Sequence, residues 1–135
     1  MIHVAYAIND EKGGYSKFAG ISMMSLLSTT RERVSVHLLH DRTLRAQDRA
    51  RFQETAAAAG QTILFYDMEA LMGQRLAELP TLFSGLASSR FTAASLYRLL
   101  VGAVLPPEVK RLIYLDSDTV VHLDLADLWG ESIEG

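Results

Sequence analysis

Two aspartates one residue apart, Asp116 and Asp118, follow the apolar run Leu112-Ile113-Tyr114-Leu115 and precede Thr119-Val120-Val121. The pattern reads as a buried strand over 112–121 that breaks open toward its C-terminal end to present acid groups. In an extended chain residues i and i+2 share a face about 6.7 Å apart, so both carboxylates can point one way while Ser117 points back. At roughly 6 Å and an effective dielectric of about 20, they repel by roughly 3 kcal/mol unless a proton or a cation lies between them. Hard divalent ions suit such a pair. Mg²⁺ and Mn²⁺ take one or two carboxylates and fill the remaining positions with water and substrate phosphate, so a two-Asp site implies a phosphorylated ligand. The plainer reading is a polar strand end making turn hydrogen bonds. The apolar strand ahead of the acids favours a ligand, because open α/β sheets bind ligands at the carboxyl ends of their strands.

The elements that must position these acids are legible in order. Ile2–Ile8 is apolar and ends at Asn9-Asp10 with Gly13-Gly14 behind, a first strand feeding a loop. A helix follows from Ser16 to near Thr29, with Phe18, Ile21, Ser22 and Leu26 in helical spacing. Val34–His40 is a second strand closed by Asp41, and Leu44–Ala59 a helix stopped by Gly60. The outer face of that helix, with Arg45, Asp48, Arg49 and Arg51, reads as solvated. Thr62–Tyr66 reads as a third strand, Met68–Leu79 as a helix stopped by Pro80, and Ser84–Arg90 as loop. A further helix is expected from an N-cap at Thr92 to Val104, with Leu96, Leu99, Leu100, Ala103 and Val104 as its buried stripe and Arg98 opposite. Asp124 to Trp129 reads as a short turn or helix anchored by its aromatic. Alternating strands and helices mean a mainly parallel sheet with right-handed crossovers. The Asn9 loop and the two acids then share the carboxyl edge, and they meet only if the first and fourth strands are neighbours.

A chain of 135 residues, 49% hydrophobic and 21% charged, is one ordinary domain with enough apolar material for a core. A net charge of −3 lacks the basic excess that neutralising a polyanion requires, so no nucleic-acid partner is expected. With no cysteine there is neither a disulfide framework nor a thiolate metal site. The start has no leader-like pattern and the longest uncharged apolar run, 99–105, is too short to span a bilayer, which points to the cytoplasm. His3, His37 and His40 sit on strands and read as structural.

Several segments together resemble the amino-terminal half of a retaining glycosyltransferase of family 8. These are Val4-Ala5-Tyr6-Ala7-Ile8-Asn9-Asp10, Tyr97-Arg98-Leu99 ahead of a Pro pair, Tyr114-Leu115-Asp116-Ser117-Asp118, and Leu128-Trp129. Lipopolysaccharide galactosyl- and glucosyltransferases and glycogenin-like enzymes belong to that family. The resemblance implies a Rossmann-like α/β fold of the nucleotide-diphospho-sugar transferase type, truncated, with residues 1–135 as its nucleotide-sugar-binding half. It implies Mn²⁺ or Mg²⁺ as cofactor, with Asp116 and Asp118 as ligands, and a UDP-sugar donor transferred to a saccharide acceptor. Ala7, Asn9, Asp10, Lys12, Arg98, Asp116 and Ser117 are the implied nucleotide contacts: Asn9 and its neighbours on uracil, Arg98 near the diphosphate, where a planar guanidinium fork suits phosphate oxygens.

Two departures from the family pattern stand out. The family's uracil-stacking tyrosine is replaced by Lys12, with Tyr15 nearby. The third metal ligand, a histidine, the acceptor-binding elements and the catalytic groups correspond to positions beyond Gly135. His122 does not replace that ligand, being roughly 13 Å along a strand from Asp118. The expectation is a chain that binds donor without efficient transfer, self-associates through an open edge after Trp129, and reaches a membrane surface only through regions beyond it. Two rivals remain from the residues themselves. A phosphatase of the haloacid dehalogenase type would use Asp116 as nucleophile and Asp118 as acid and base, although that motif normally opens its domain. A nucleotide-binding module would keep the site without chemistry.

Overall fold

The structure, a computed structural model, describes residues 1–82 and 93–133. Four parallel strands form one sheet: β1 (Ile2–Ala7), β2 (Val34–His40), β3 (Thr62–Asp67) and β4 (Ile113–Tyr114), in the order β3-β2-β1-β4. Helices cover both faces, which is why the two inner strands are rich in apolar residues and every residue of β2, its serine and two histidines included, is buried. On one face Val4, Tyr6, Val36 and Leu38 pack against α1 (Tyr15–Thr29), α2 (Ala46–Ala58) and α6 (Leu125–Gly130) through Met23, Leu26, Phe52 and Leu125. On the other, Ala5, Ala7 and Leu39 meet Met68 of α3 (Met68–Leu82) and Ala94 and Tyr97 of α4 (Ala93–Tyr97). Gly60, at φ 65°, ends α2 as expected, its N–H donating to the Ala57 carbonyl while Gln61 N–H donates to Ala56. Arg45, Arg49 and Arg51 are exposed on α2, Arg49 lying over the Phe65 ring at 4.1 Å.

Three expectations need correction. The acid strand is not extended over 112–121: only Ile113 and Tyr114 pair with β1, Leu115 N–H donates to the Ala5 carbonyl at 3.0 Å, and the chain then turns. Thr119 N–H and hydroxyl both donate to the Asp116 carbonyl, at 3.2 and 2.7 Å, so Asp116 and Asp118 occupy a turn and not alternate positions of a strand. The helix expected to reach Val104 is divided into α4, a 3-10 turn at Arg98–Leu100 and α5 (Val101–Val104). Its buried residues Ala94, Tyr97 and Leu100 are spaced by three, the period of a 3-10 helix, and Leu99 is left 57% exposed. Pro80 does not stop α3; the break falls at Met72, with φ −135°. Proline's φ, fixed at about −65°, lies in the helical range, so the backbone can run on through it. The expected loop Ser84–Arg90 and cap Thr92 lie outside the described residues.

The strand histidines are structural, as read from sequence. His3, His37 and Tyr66 form a row across β1, β2 and β3, with His3 Nδ1 2.9 Å from His37 Nε2 and His37 Nδ1 2.9 Å from the Tyr66 hydroxyl. His40 Nδ1–H donates to the Asp41 carbonyl at 3.1 Å. Burial, with the neighbouring His3, pulls the His37 imidazole down to about 4. The unfolded chain, with a histidine near 6.5, therefore binds more protons between pH 6.5 and 4, and stability must fall as pH falls through that window. The loss by pH 5 is on the order of 2 kcal/mol. Urea unfolding at pH 7.5 and pH 5 measures it. His37→Gln should remove most of the difference; an equal loss in the variant would place the acid sensitivity elsewhere.

Candidate functional site

Because β1 and β4 are neighbours, the loop after Ala7 and the turn after Tyr114 leave the same edge of the sheet side by side. Ser117 fastens them. Its side chain is turned inward, only 3% of the residue is exposed, and its hydroxyl donates to the Ala7 carbonyl at 3.1 Å. Ala7 is itself buried, so these two residues hold the site together through each other. Asp10, also buried, directs its carboxylate at the start of α1, accepting from Tyr15 N–H at 2.7 Å and Ser16 N–H at 3.2 Å. Burial pushes the Asp10 carboxyl up, and hydrogen bonds from Ser16 and Tyr15 together with Arg45 outweigh it, leaving it below the usual range. The intervening chain turns through Gly13 and Gly14 at φ 78° and 97°, a region costly for any residue with a Cβ.

The two exposed acids face a different environment. Arg98, at the start of the 3-10 turn, places Nη2 2.8 Å from Asp116 Oδ1 and its guanidinium 4.9 Å from the centre of the Tyr114 ring. Asp118 and Asp116 both lie close enough to Tyr15 to act on its phenol: burial lifts it, and the two carboxylates lift it further against the opposing Arg98. Asp116, Asp118, Arg98 and Tyr15 thus form one polar group at the carboxyl edge. Among the described residues no cluster gathers three or more histidine or acid side chains. The oxygen donors available to a hard cation here are the two exposed carboxylates, and the set matches ions that complete their sphere with water and phosphate.

Beside this group lies a cleft of about 430 Å³ lined by Asn9, Asp10, Lys12, Gly13, Tyr15 and Ala94. Its inner wall is fixed by Asp41, which closes β2 and is 3% exposed. Asp41 Oδ2 accepts from Asn9 Nδ2 at 2.8 Å and from the Tyr97 hydroxyl at 2.5 Å. Its Oδ1 accepts from Thr43 N–H at 2.9 Å and the Thr43 hydroxyl at 2.5 Å. Burial raises the Asp41 carboxyl, and the bonds from Thr43, Tyr97 and Asn9 more than offset this, so it remains ionised and below the usual range. The Tyr97 phenol is correspondingly driven far up by burial and by Asp41.

With that edge in view, the comparisons decide the family. Residues 3–135 match glycosyl transferase family 8. The chain belongs to that family. It is 27% identical over 131 residues to general stress protein A of Bacillus subtilis (strain 168), covering 96% of this chain and 42% of that protein. It is 28% identical over 132 residues to the xylosyl- and glucuronyltransferase LARGE2 of Mus musculus, covering 96% of this chain and 17% of that protein. Among solved structures it resembles the galactosyltransferase LgtC in complex with donor and acceptor sugar analogs, with a TM-score of 0.68, 18% identity, and 98% of this chain against 44% of that one. Mouse xyloside xylosyltransferase 1 in its apo form gives a TM-score of 0.67 at 18% identity, covering 95% of this chain and 46% of that one. The chain therefore spans less than half the length of these relatives, and the α/β fold expected from sequence is theirs. Family membership leaves no place for the phosphatase reading of Asp116.

Of the residues singled out by sequence, Asn9, Asp10 and Lys12 line the cleft, Arg98 and Asp116 form an ion pair, and Asp118 shares the turn of Asp116. The side chains of Asp10 and Ser117 serve the scaffold. Asp41, Thr43 and Tyr97 were given no place in the site. The signal for Asp41 was there: an acid directly after a parallel strand rich in Val and Leu stands at the carboxyl edge, where Asn9 and Asp116 also stand. Ser117→Ala should lower stability by about 1 kcal/mol in urea unfolding, the worth of one buried hydrogen bond, leaving both exposed acids in place. An unchanged midpoint would mean the Ala7 carbonyl does not depend on Ser117.

Proposed function

We propose that this chain is the nucleotide-sugar-binding half of a retaining glycosyltransferase that takes a UDP-sugar donor and passes its sugar to a saccharide or glycan acceptor. The observation that carries the reading is the convergence, at one sheet edge of a family 8 chain, of the Asn9–Lys12 cleft and the Asp116/Asp118/Arg98 group. Asn9 and Lys12 line the base site, and Tyr15, 41% exposed on the same cleft, offers a ring where Lys12 replaces the family's tyrosine. Asp116 and Asp118 would hold Mn²⁺ or Mg²⁺, which supplies Lewis-acid stabilisation of the departing diphosphate when bound. Arg98 turns its guanidinium from Asp116 to the phosphate oxygens, a charge-assisted contact worth roughly 1.5 to 3 kcal/mol. The chain by itself binds donor without efficient transfer, because transfer needs donor and acceptor held together away from water.

Titration calorimetry with UDP in Mn²⁺ and in chelator tests the reading. Binding should need the metal, and Asp118→Ala should lose that dependence; equal affinity with and without metal would refute the assignment of the two acids. Arg98→Lys should weaken UDP binding roughly tenfold or more while leaving uridine binding nearly unchanged. A variant that binds both ligands like the wild type would make Arg98 a surface residue paired only with Asp116.

A further inference from the structure

The buried acid behind the cleft determines more than packing. An ionised carboxylate has no hydrogen to donate, so the group of Asn9 that meets Asp41 at 2.8 Å must be its NH₂. The carboxamide is thereby held in one orientation, with its oxygen left for whatever occupies the cleft. The other three donors to Asp41 are Thr43 N–H, the Thr43 hydroxyl and the Tyr97 hydroxyl, so both carboxylate oxygens are engaged and the Asn9 NH₂ is tied down on a fixed partner. Uracil in a nucleotide carries a single N–H, at N3, flanked by two carbonyl acceptors. One N–H of the Asn9 amide is spent on Asp41 and the second stays available to a base carbonyl, but the amide oxygen, an acceptor, can hydrogen-bond uracil only at N3.

We propose that Asp41 is a positioning residue for nucleotide recognition: by fixing the Asn9 carboxamide with its oxygen toward the cleft, it commits the site to the N3 imide N–H of the base. This rests on the UDP-binding reading above. Through Tyr97, which directly precedes Arg98, the same carboxylate also holds the segment that carries the arginine, so base edge and diphosphate are referred to one buried group.

The test compares UDP with N3-methyl-UDP by calorimetry in Mn²⁺, on wild-type protein, Asp41→Asn and Tyr97→Phe. Wild type should bind N3-methyl-UDP at least tenfold more weakly than UDP. In Asp41→Asn the new amide can donate as well as accept, Asn9 is no longer fixed, and UDP affinity should fall by a larger factor than that of N3-methyl-UDP, so that the preference between them shrinks. A merely structural Asp41 would weaken both ligands by the same factor, which would overturn the proposal. Tyr97→Phe keeps the Asn9–Asp41 bond and should retain the tenfold preference. Where Asp41→Asn does not fold, wild-type NMR decides: of the two Asn9 side-chain amide protons, assigned by their loss in Asn9→Ala, the one bonded to Asp41 should exchange slowly with water and stay in place when UDP is added. Two amide protons that both exchange fast, or a protected one that shifts strongly with UDP, would free the NH₂ from Asp41 and refute the proposal. UDP binding with no penalty for N3 methylation overturns this inference alone, whereas no UDP binding at all in Mn²⁺ overturns it together with the reading on which it rests.

Discussion

The carboxylate of Asp41, taken out of water at the end of β2, is the group that the carboxyl edge is built around. A buried charge left without partners costs several kcal/mol, so its donors cannot be given up separately. They come from three places in the sequence: Asn9 after β1, Thr43 in the following turn, and Tyr97 in α4. Those places are the cleft wall, the entry to α2 and the residue next to Arg98. Thr43 also accepts the Asp10 N–H through its hydroxyl at 2.7 Å, which carries the linkage to the acid that caps α1. The site thus contains two kinds of aspartate. Asp10 and Asp41 are buried and fully engaged, whereas Asp116 and Asp118 are exposed, Asp116 pairing with Arg98 at 2.8 Å. Sequence alone gives all four the same letter.

The central position of β1 makes this arrangement possible. With β2 on one side and β4 on the other, everything that leaves the carboxyl ends of three parallel strands lies within one patch. Hydroxyl groups then secure the turn after β4 against the scaffold. Tyr6, Ser22 and Thr119 form a row with O···O distances of 3.1 and 3.3 Å, and Ser25 accepts from Val121 N–H at 2.8 Å. The small polar residues on α1 therefore hold the 119–121 segment by directed bonds that an apolar face could not make, while Met23 and Leu26 of the same helix fill the core.

The strands and the first two helices were legible because burial on both faces imposes apolar runs and because Gly60 and the Asn9-Asp10 pair punctuate them. Val34–His40 was readable to the residue. The acid turn was not, since Thr119-Val120-Val121 has strand propensity that tertiary bonds override: Ser117 is held by Ala7 and Val121 by Ser25, so the segment follows α1 instead of the sheet. The helix around Arg98 misled for a related reason. Its leucines suggest a period of 3.6, but Tyr97 is drawn to Asp41 by a hydrogen bond that no hydropathy pattern contains, and the local winding tightens to suit. The pairing of Arg98 with Asp116 was equally out of reach, because it joins two segments whose proximity follows only from the adjacency of β1 and β4.

The central claim is that the cleft after β1 and the acid turn after β4 form one metal-assisted nucleotide site. Paramagnetic broadening by Mn²⁺ in the presence of UDP tests it most directly, because the effect falls off steeply with distance and reports every backbone amide at once. Broadening should centre on 116–119, extend to Arg98 and Tyr15, and weaken toward the 9–12 loop at the base end, while the strand histidines His3 and His37 remain sharp. Broadening centred on the histidines or on the exposed face of α2, with the 116–119 amides unaffected, would contradict the site.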